Sequence, residues 1–270
     1  MSTVGAAVPK TTAVEGETSS ILSKAFDLLS AFNSHDRVMT LSELSRATGL
    51  AKSTVHRLLQ RLTQLGAIEA HPNGYRIGVD LLHLAAVSPA NGFRNIAMPF
   101  LSALHQRTGH TAFLAVPRDF DVVFLERIGR REATASATRA FEVGDRLPAS
   151  CTASGKAMLA YTDLDQLPAR LPRLTPHSVS DSGRLLAELR QVRGQGFAQE
   201  SDEVCVGVTS LAAPVVLAGQ ALAAVAVTFP TGTAPRTGTV SALRETAGHI
   251  VREIRRGVTL GHGPWLPFEA

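Results

Sequence analysis

Between Thr40 and Leu65 a helix-start signal, a tight turn and a long apolar stripe follow one another with no spare residues. Thr40 and Glu43 stand at the spacing of a capping box, in which hydroxyl and carboxylate each satisfy a backbone amide left free at a helix start. Leu41, Leu44 and Ala47 line the buried side of the helix so begun. Thr48-Gly49-Leu50 ends it, because glycine takes the left-handed conformation a short inter-helix turn requires. A second helix, about Ala51 to Leu65, puts Val55, Leu58, Leu59, Leu62 and Leu65 on one stripe, with Ser53, Arg57, Gln60 and Gln64 opposite. His56 and Arg61 flank that polar face, and Lys52 and Thr54 stand at its entrance.

The flanks complete a small domain. Upstream, Leu22, Ala25, Leu29 and Phe32 predict a helix over Ile21 to Phe32; residues 1–19 show no period and read as a flexible arm. Downstream, Ala67 to Ala70 and Tyr75 to Ile77 flank His71-Pro72-Asn73-Gly74, a strand pair around a turn. Three helices followed by a hairpin make a winged helix-turn-helix.

Charge points the same way. The whole chain carries a formal net charge of only +4, yet Arg37, Arg46, Lys52, Arg57, Arg61 and Arg76 outnumber Glu43 and Glu69 between residues 37 and 76. Phosphate neutralisation supplies most non-specific DNA affinity, and in this motif the first turns of the second helix enter the major groove. Thr40, Lys52, Ser53, Thr54, His56, Arg57 and Arg61 are the expected DNA contacts, with Arg57 the leading base or phosphate reader and Arg76 reaching from the hairpin.

Beyond this module Val79 to Val87 reads as a short linker helix, and Ser88-Pro89-Ala90-Asn91-Gly92 as a break and hinge. The expected division is a DNA-binding domain over 20–78, linker and hinge over 79–91, a second domain over 92–256 and a tail over 257–270. In the second domain a helical stripe from Phe93 to Leu104 precedes strands over Thr111 to Val116 and Val122 to Ile128, across a Pro117-Arg118-Asp119 turn. Helices are expected over Ala153 to Tyr161, Gly183 to Val192 and within Val240 to Arg256, and strands over Thr209 to Val216 and Ala221 to Phe229. This mixed order with hairpins is α+β.

Val204 to Pro235 contains no charged residue and approaches the length of a membrane helix. Pro214, Gly219-Gln220 and β-branched residues at both ends favour two strands joined at Ala218-Gly219-Gln220, and no membrane partner is expected. With 44% hydrophobic and 19% charged residues, disordered and collagen-like classes are excluded. Two cysteines, Cys151 and Cys205, and no apolar leader segment point to a reduced, cytoplasmic setting.

Catalytic and cofactor patterns are thin. Ser154-Gly155-Lys156 suggests a phosphate loop, but Ser150 and Ala157 occupy the positions where such a loop needs glycine and a hydroxyl. Cys151 lacks a placed base and reads as a small buried apolar residue. No ligands stand at zinc spacing, so no metal, cofactor or catalytic residue is expected. His105 and His110 sit at a helix end, to cap it or face solvent, and Glu200, Asp202 and Glu203 read as an acidic loop unless they serve a cation or ligand. The rival class is a metabolite-binding protein or enzyme whose N-terminal domain makes protein contacts.

Four stretches together resemble the IclR-type bacterial transcriptional regulators over roughly Ser20 to Arg256. They are Leu41-Ser42-Glu43-Leu44 through Leu58-Leu59, Tyr75-Arg76-Ile77-Gly78, Val143 to Pro148 running into Thr152 to Ala157, and Gly196-Phe197-Ala198 through Glu203, Gly207 and Ala212 to Val215. The resemblance implies a GAF-like effector domain, a homodimer or a homotetramer built as a dimer of dimers, and a small, often carboxylated effector. It places the pocket at Ala149, Ser150, Cys151, Thr152, Ala153, Ser154, Glu200, Ser210, Ala226 and Thr228. Members that bind small keto acids carry Asp, Cys and Ser where this chain has Glu200, Ser210 and Ala226. With Phe113 or Phe124 nearby, these departures suit a more apolar ligand, an aromatic acid among them. Such a chain is expected to repress or activate transcription by binding operator DNA.

Overall fold

The computed structural model describes residues 20–32, 38–129, 141–162, 167 and 170–259. Arg37 and the arm over 1–19 lie outside them. The chain divides into two compact units, Met1–Val87 and Ser88–Ala270.

In the first unit α1 (Ile21–Leu29), α2 (Leu41–Thr48) and α3 (Lys52–Gln64) precede a hairpin of β1 (Ile68–His71) and β2 (Gly74–Ile77), followed by α4 (Asp80–Ala86). The capping box forms as its spacing dictates, and Gly49 turns the chain with φ 72°. Leu28, Leu44, Val55, Leu58, Leu59 and Leu62 share one core with Met39 and Ile68. Met39 also adds a bridge to the wing, exchanging both backbone hydrogen bonds with Tyr75 at 2.9 and 2.8 Å.

Two stripe assignments fail here. Leu65 caps α3 and is 73% exposed, while Leu22 on the first turn of α1 is 70% exposed and Leu28 is the buried anchor. Helical period marks a face without saying where along it the neighbouring helix stops. The first helix also ends at Leu29, short of Phe32.

The second unit opens with α5 (Pro89–Thr108), so Pro89 to Gly92 form its first turn where a break in the helix was expected, and the two units divide between Val87 and Ser88, inside the expected linker. Pro89 stands at the first helical position, where its missing amide costs nothing and its fixed φ suits the helix. Strands β3 (Thr111–Arg118), β4 (Asp121–Ile128), β5 (Arg146–Pro148), β6 (Ala198–Ser201), β7 (Val208–Leu217) and β8 (Gln220–Pro230) form one sheet in the order β5-β4-β3-β8-β7-β6. Every neighbouring pair is antiparallel. Between strands the chain forms α6 (Ala153–Leu159) and α7 (Ser182–Gln195), and after β8 it forms α8 (Thr239–Thr259). The expected tail therefore begins inside α8.

Side chains alternate across this sheet as the two-residue period requires. Ala112, Leu114 and Val116 of β3 join α5 and α8 in one core, while Phe113 and Ala115 join α6 and α7 in the other. Burial on both faces explains the charge-free run from Val204: its centre is the β7–β8 hairpin, turned by Ala218 and Gly219 with φ 51° and 86°. No helix among the described residues is long and apolar enough to cross a membrane. The β3–β4 turn falls at Asp119-Phe120, and Pro117 sits within β3 opposite Val122. The architecture is mixed α+β, as the order of elements predicts.

Candidate nucleic-acid interface and effector site

The buried stripe of α3 fixes which side chains face outward. Lys52, Ser53, His56, Arg57 and Arg61 are exposed and Thr54 is half-buried. Ala51 supplies no side-chain cap, leaving the amides of the first turn open to an anion such as a phosphate. Arg57 and Arg61 line a groove with Ile21, Leu22 and Lys24 of α1, and Arg61 also donates to Gln64 at 3.2 Å. Lys52, Ser53, His56, Arg57 and Arg61 form the polar and cationic side of α3, and the groove beside it is largely apolar.

The two remaining expected DNA contacts have partners within the fold. The Thr40 hydroxyl accepts the Glu43 amide at 3.3 Å and lies 3.1 Å from its carboxylate, so it is engaged as a helix cap. Arg76 pairs with Glu69 across the hairpin at 2.7 Å. Glu69 also accepts the Val79 amide, and these two contacts hold its carboxyl below the usual range, the amide contributing most.

In the second unit, sheet register brings together residues far apart in sequence. Glu200 on β6 lies opposite Ser210 on β7, which lies opposite Thr228 on β8, which lies opposite Thr111 on β3. One pleat further on the same face runs an apolar row of Ala198, Ala212, Ala226 and Phe113. Helix α6 packs over β7 and β8 on this face. Its approach is shaped by the 3-10 turn Ala149–Cys151 and by Thr152, whose hydroxyl accepts the Gly155 amide at 2.9 Å. Gly155 is required by that close contact, since a Cβ there would lie 2.2 Å from the Ala149 carbonyl oxygen.

Ala149, Ser150, Cys151, Thr152, Ala153, Ser154, Glu200, Ser210 and Ala226 are all buried, and Thr228 is half-buried. The acidic-loop reading of Glu200 fails, because it lies on a strand and points inward, only 2% exposed. Ser210 Oγ donates to Glu200 Oε1 at 2.5 Å, and the Glu203 amide donates to Oε2 at 3.1 Å. Burial pushes the Glu200 carboxyl up to about 7, with these two hydrogen bonds pulling the other way. Asp202 remains a turn residue, accepting the Gly207 amide and the Thr231 hydroxyl.

Lys156 escaped the sequence reading except as part of a rejected phosphate loop. It is 1% exposed, and its Nζ lies 2.5 Å from Glu203 and 2.7 Å from Glu188 of α7. Glu203 is raised by burial while the Lys156 ammonium draws it down. The Glu203 carbonyl accepts the Ser178 hydroxyl at 2.7 Å and its carboxylate accepts the Val179 amide. One hydrogen-bonded chain thus runs from Glu188 through Lys156 and Glu203 to Glu200 and Ser210.

Other candidates resolve into structure. Cys151 is fully buried and donates to the Pro172 carbonyl; burial raises its thiol, the opposite of an activated nucleophile. His105 neither caps nor stands free, its Nδ1 lying 2.7 Å from the His110 carbonyl oxygen. Phe113 and Phe124 pack edge-on with ring centroids 5.7 Å apart, and both contact Phe141 in the α6–α7 core. No group of three or more metal-ligating side chains occurs among the described residues.

Comparison with known proteins matches both units. Residues 21–72 match the IclR helix-turn-helix domain, and residues 86–254 match the bacterial transcriptional regulator IclR C-terminal domain. The chain is 33% identical over 200 residues to the HTH-type transcriptional regulator XynR of Escherichia coli, covering 71% of this chain and 78% of that protein. It is 32% identical over 202 residues to the HTH-type transcriptional regulator BhcR of Paracoccus denitrificans, covering 72% and 71%. Among solved structures, an IclR homologue from Microbacterium hydrocarbonoxydans complexed with 4-hydroxybenzoate superposes with a TM-score of 0.76 at 29% identity, covering 88% of this chain and all of that one. With an outward polar face on α3, an antiparallel sheet behind a buried carboxyl, and family matches spanning both units, the chain belongs to the IclR family of bacterial transcriptional regulators.

Proposed function

We propose that the first unit binds operator DNA through α3, and that the second unit binds a small aromatic carboxylic acid that alters operator affinity. The observation that carries the DNA half is the outward set Lys52, Ser53, His56, Arg57 and Arg61 on a helix whose other side is fully committed to the core. In this geometry the first turn of α3 meets phosphates and base edges of the major groove. Thr54 flanks that contact, and Thr40 and Arg76 contribute through the cap and the wing.

The effector half rests on the polar row Glu200, Ser210 and Thr228 beside the apolar row ending at Ala226 and Phe113, under the segment Ala149 to Ser154. A few polar groups at one end of an apolar surface fit a ligand with a ring and an acid group. The related Microbacterium protein complexed with 4-hydroxybenzoate supports that class. The regulator acts in the cytoplasm as a homodimer or a dimer of dimers, without catalysis, cofactor or metal. Effector binding then shifts the population of two arrangements that differ in operator affinity.

Titrating fluorescent DNA from either side of the gene with the protein, with and without 4-hydroxybenzoate, tests both halves. Binding that the acid changes at least fivefold is expected. Equal affinity with and without it contradicts the effector class, and no binding contradicts the DNA half.

A further inference from the structure

We propose that Glu200 takes up a proton when an anionic effector binds beside Ser210, so that one buried carboxyl both selects for an acid and makes its binding depend on pH. The inference rests on the effector site proposed above and concerns only the state of Glu200 within it.

Ser210 has a single hydroxyl proton, and here it is spent on Glu200 Oε1 at 2.5 Å. The other carboxyl oxygen already accepts the Glu203 amide. An ionised Glu200 therefore holds Ser210 with only lone pairs turned outward and sets a negative charge beside it, an arrangement that repels a carboxylate. A proton on Oε1 lets the same short contact run backwards. Glu200 then donates to Ser210 Oγ, and the Ser210 proton is released to donate to the oxyanion of the ligand. No heavy atom has to move, and the proton comes from solvent.

The surrounding charges favour this exchange. Of the ionisable groups bearing on Glu200, the Glu203 carboxylate opposes its ionisation and the Lys156 ammonium favours it. Lys156 is shared between Glu203 and Glu188, and Glu188 is further paired with Arg184 at 3.2 Å. Two cations thus meet two carboxylates before Glu200 is counted. Asp202 is held by the Gly207 amide and the Thr231 hydroxyl, with His177 acting on it, and Cys151 is kept protonated by burial. The facing positions on β7 and β8 are the hydroxyls of Ser210 and Thr228. Burial brings the Glu200 carboxyl to about 7, where proton uptake falls within the neutral range.

Affinity for an anion is then expected to fall about tenfold per pH unit once the pH is above the midpoint of free Glu200. The test is a carboxyl-carbon NMR titration of the full chain labelled in glutamate, with Glu200 assigned by loss of its signal in Glu200→Gln. In free protein a midpoint near 7 supports the proposal, and one near the ordinary 4.5 overturns it. Saturation with 4-hydroxybenzoate is expected to raise the midpoint by a unit or more. Calorimetry at pH 8 in two buffers of different ionisation enthalpy is expected to show net uptake of about 0.4 proton per site or more, absent in Glu200→Gln. An acid that binds without moving the midpoint overturns the proposal. Should 4-hydroxybenzoate fail to bind even at pH 6, the aromatic-acid reading fails, while the midpoint of the free protein still decides for or against Glu200.

Discussion

Arg76 reaches across the wing hairpin to Glu69, guanidinium to carboxylate at 2.7 Å, while the second carboxylate oxygen takes the Val79 amide at 3.0 Å. The cation proposed to reach DNA from the wing is thus engaged within the hairpin itself. The pair is solvent-exposed and contributes little to stability. Its consequence is for binding: Glu69→Gln releases Arg76, so the slope of log affinity against log salt is expected to steepen by about one. Arg76→Ala is expected to change operator affinity less than Arg57→Ala does. Fluorescence anisotropy from low to moderate salt reads both.

Thr40, an expected DNA contact, is engaged as a helix cap. Its hydroxyl and Glu43 form the reciprocal cap of α2, so Thr40→Ala is expected to cost about 1 kcal/mol of stability. Thr40→Ser keeps the cap. Urea unfolding of the two variants against wild type checks the loss, and equal stability of all three would remove the cap from the account.

Lys156 is expected to be the costliest single polar position in the second unit. Lys156→Met leaves the buried Glu203 carboxylate without its ammonium partner, and losing one partner of a buried pair costs about 3–5 kcal/mol. Adding Glu203→Gln is expected to recover part of that loss. Thermal unfolding of the single and double variants measures the coupling, and simple additivity would show that the pair does not act together.

Glu200 gives stability a pH dependence of defined sign. Its folded carboxyl is raised from 4.5 to about 7, so the folded state binds more protons than the unfolded chain between those values. The contribution is fully present below pH 4.5 and is lost as pH rises through about 7; the whole step is about 3 kcal/mol. Comparing wild type with Glu200→Gln in urea at pH 5, 6, 7 and 8 isolates it. The difference is expected to grow in favour of the variant toward pH 8, and parallel curves would contradict the burial argument.

The parts legible in the sequence are those written in local code. The capping box, Gly49 and the Val55-Leu58-Leu59-Leu62 stripe each act within about four residues, and together they delimit the DNA-binding module. Pro89 misled because proline both ends and starts helices, and only the conformation of Ser88 distinguishes the two uses. Strand β6 was hidden because its inward position carries Glu200, where alternation calls for an apolar residue. Lys156 could not be read at all, because its partners Glu188 and Glu203 lie 32 and 47 positions away and only the docking of α6 on α7 and β6 joins them. The resemblance supplied Glu200 and Ser210 as pocket positions, and the strand register explains why they meet.

The most direct test of the central claim is a footprint on the DNA flanking the gene, with wild type and Arg57→Ala in parallel at low and moderate salt. A discrete protected site is expected for wild type, weakened by about 1–3 kcal/mol in the variant if Arg57 reads a base. Release of that site is expected as salt rises. Absence of protection at any salt, or protection indifferent to the loss of Arg57 and every other outward α3 side chain, would contradict DNA binding through α3.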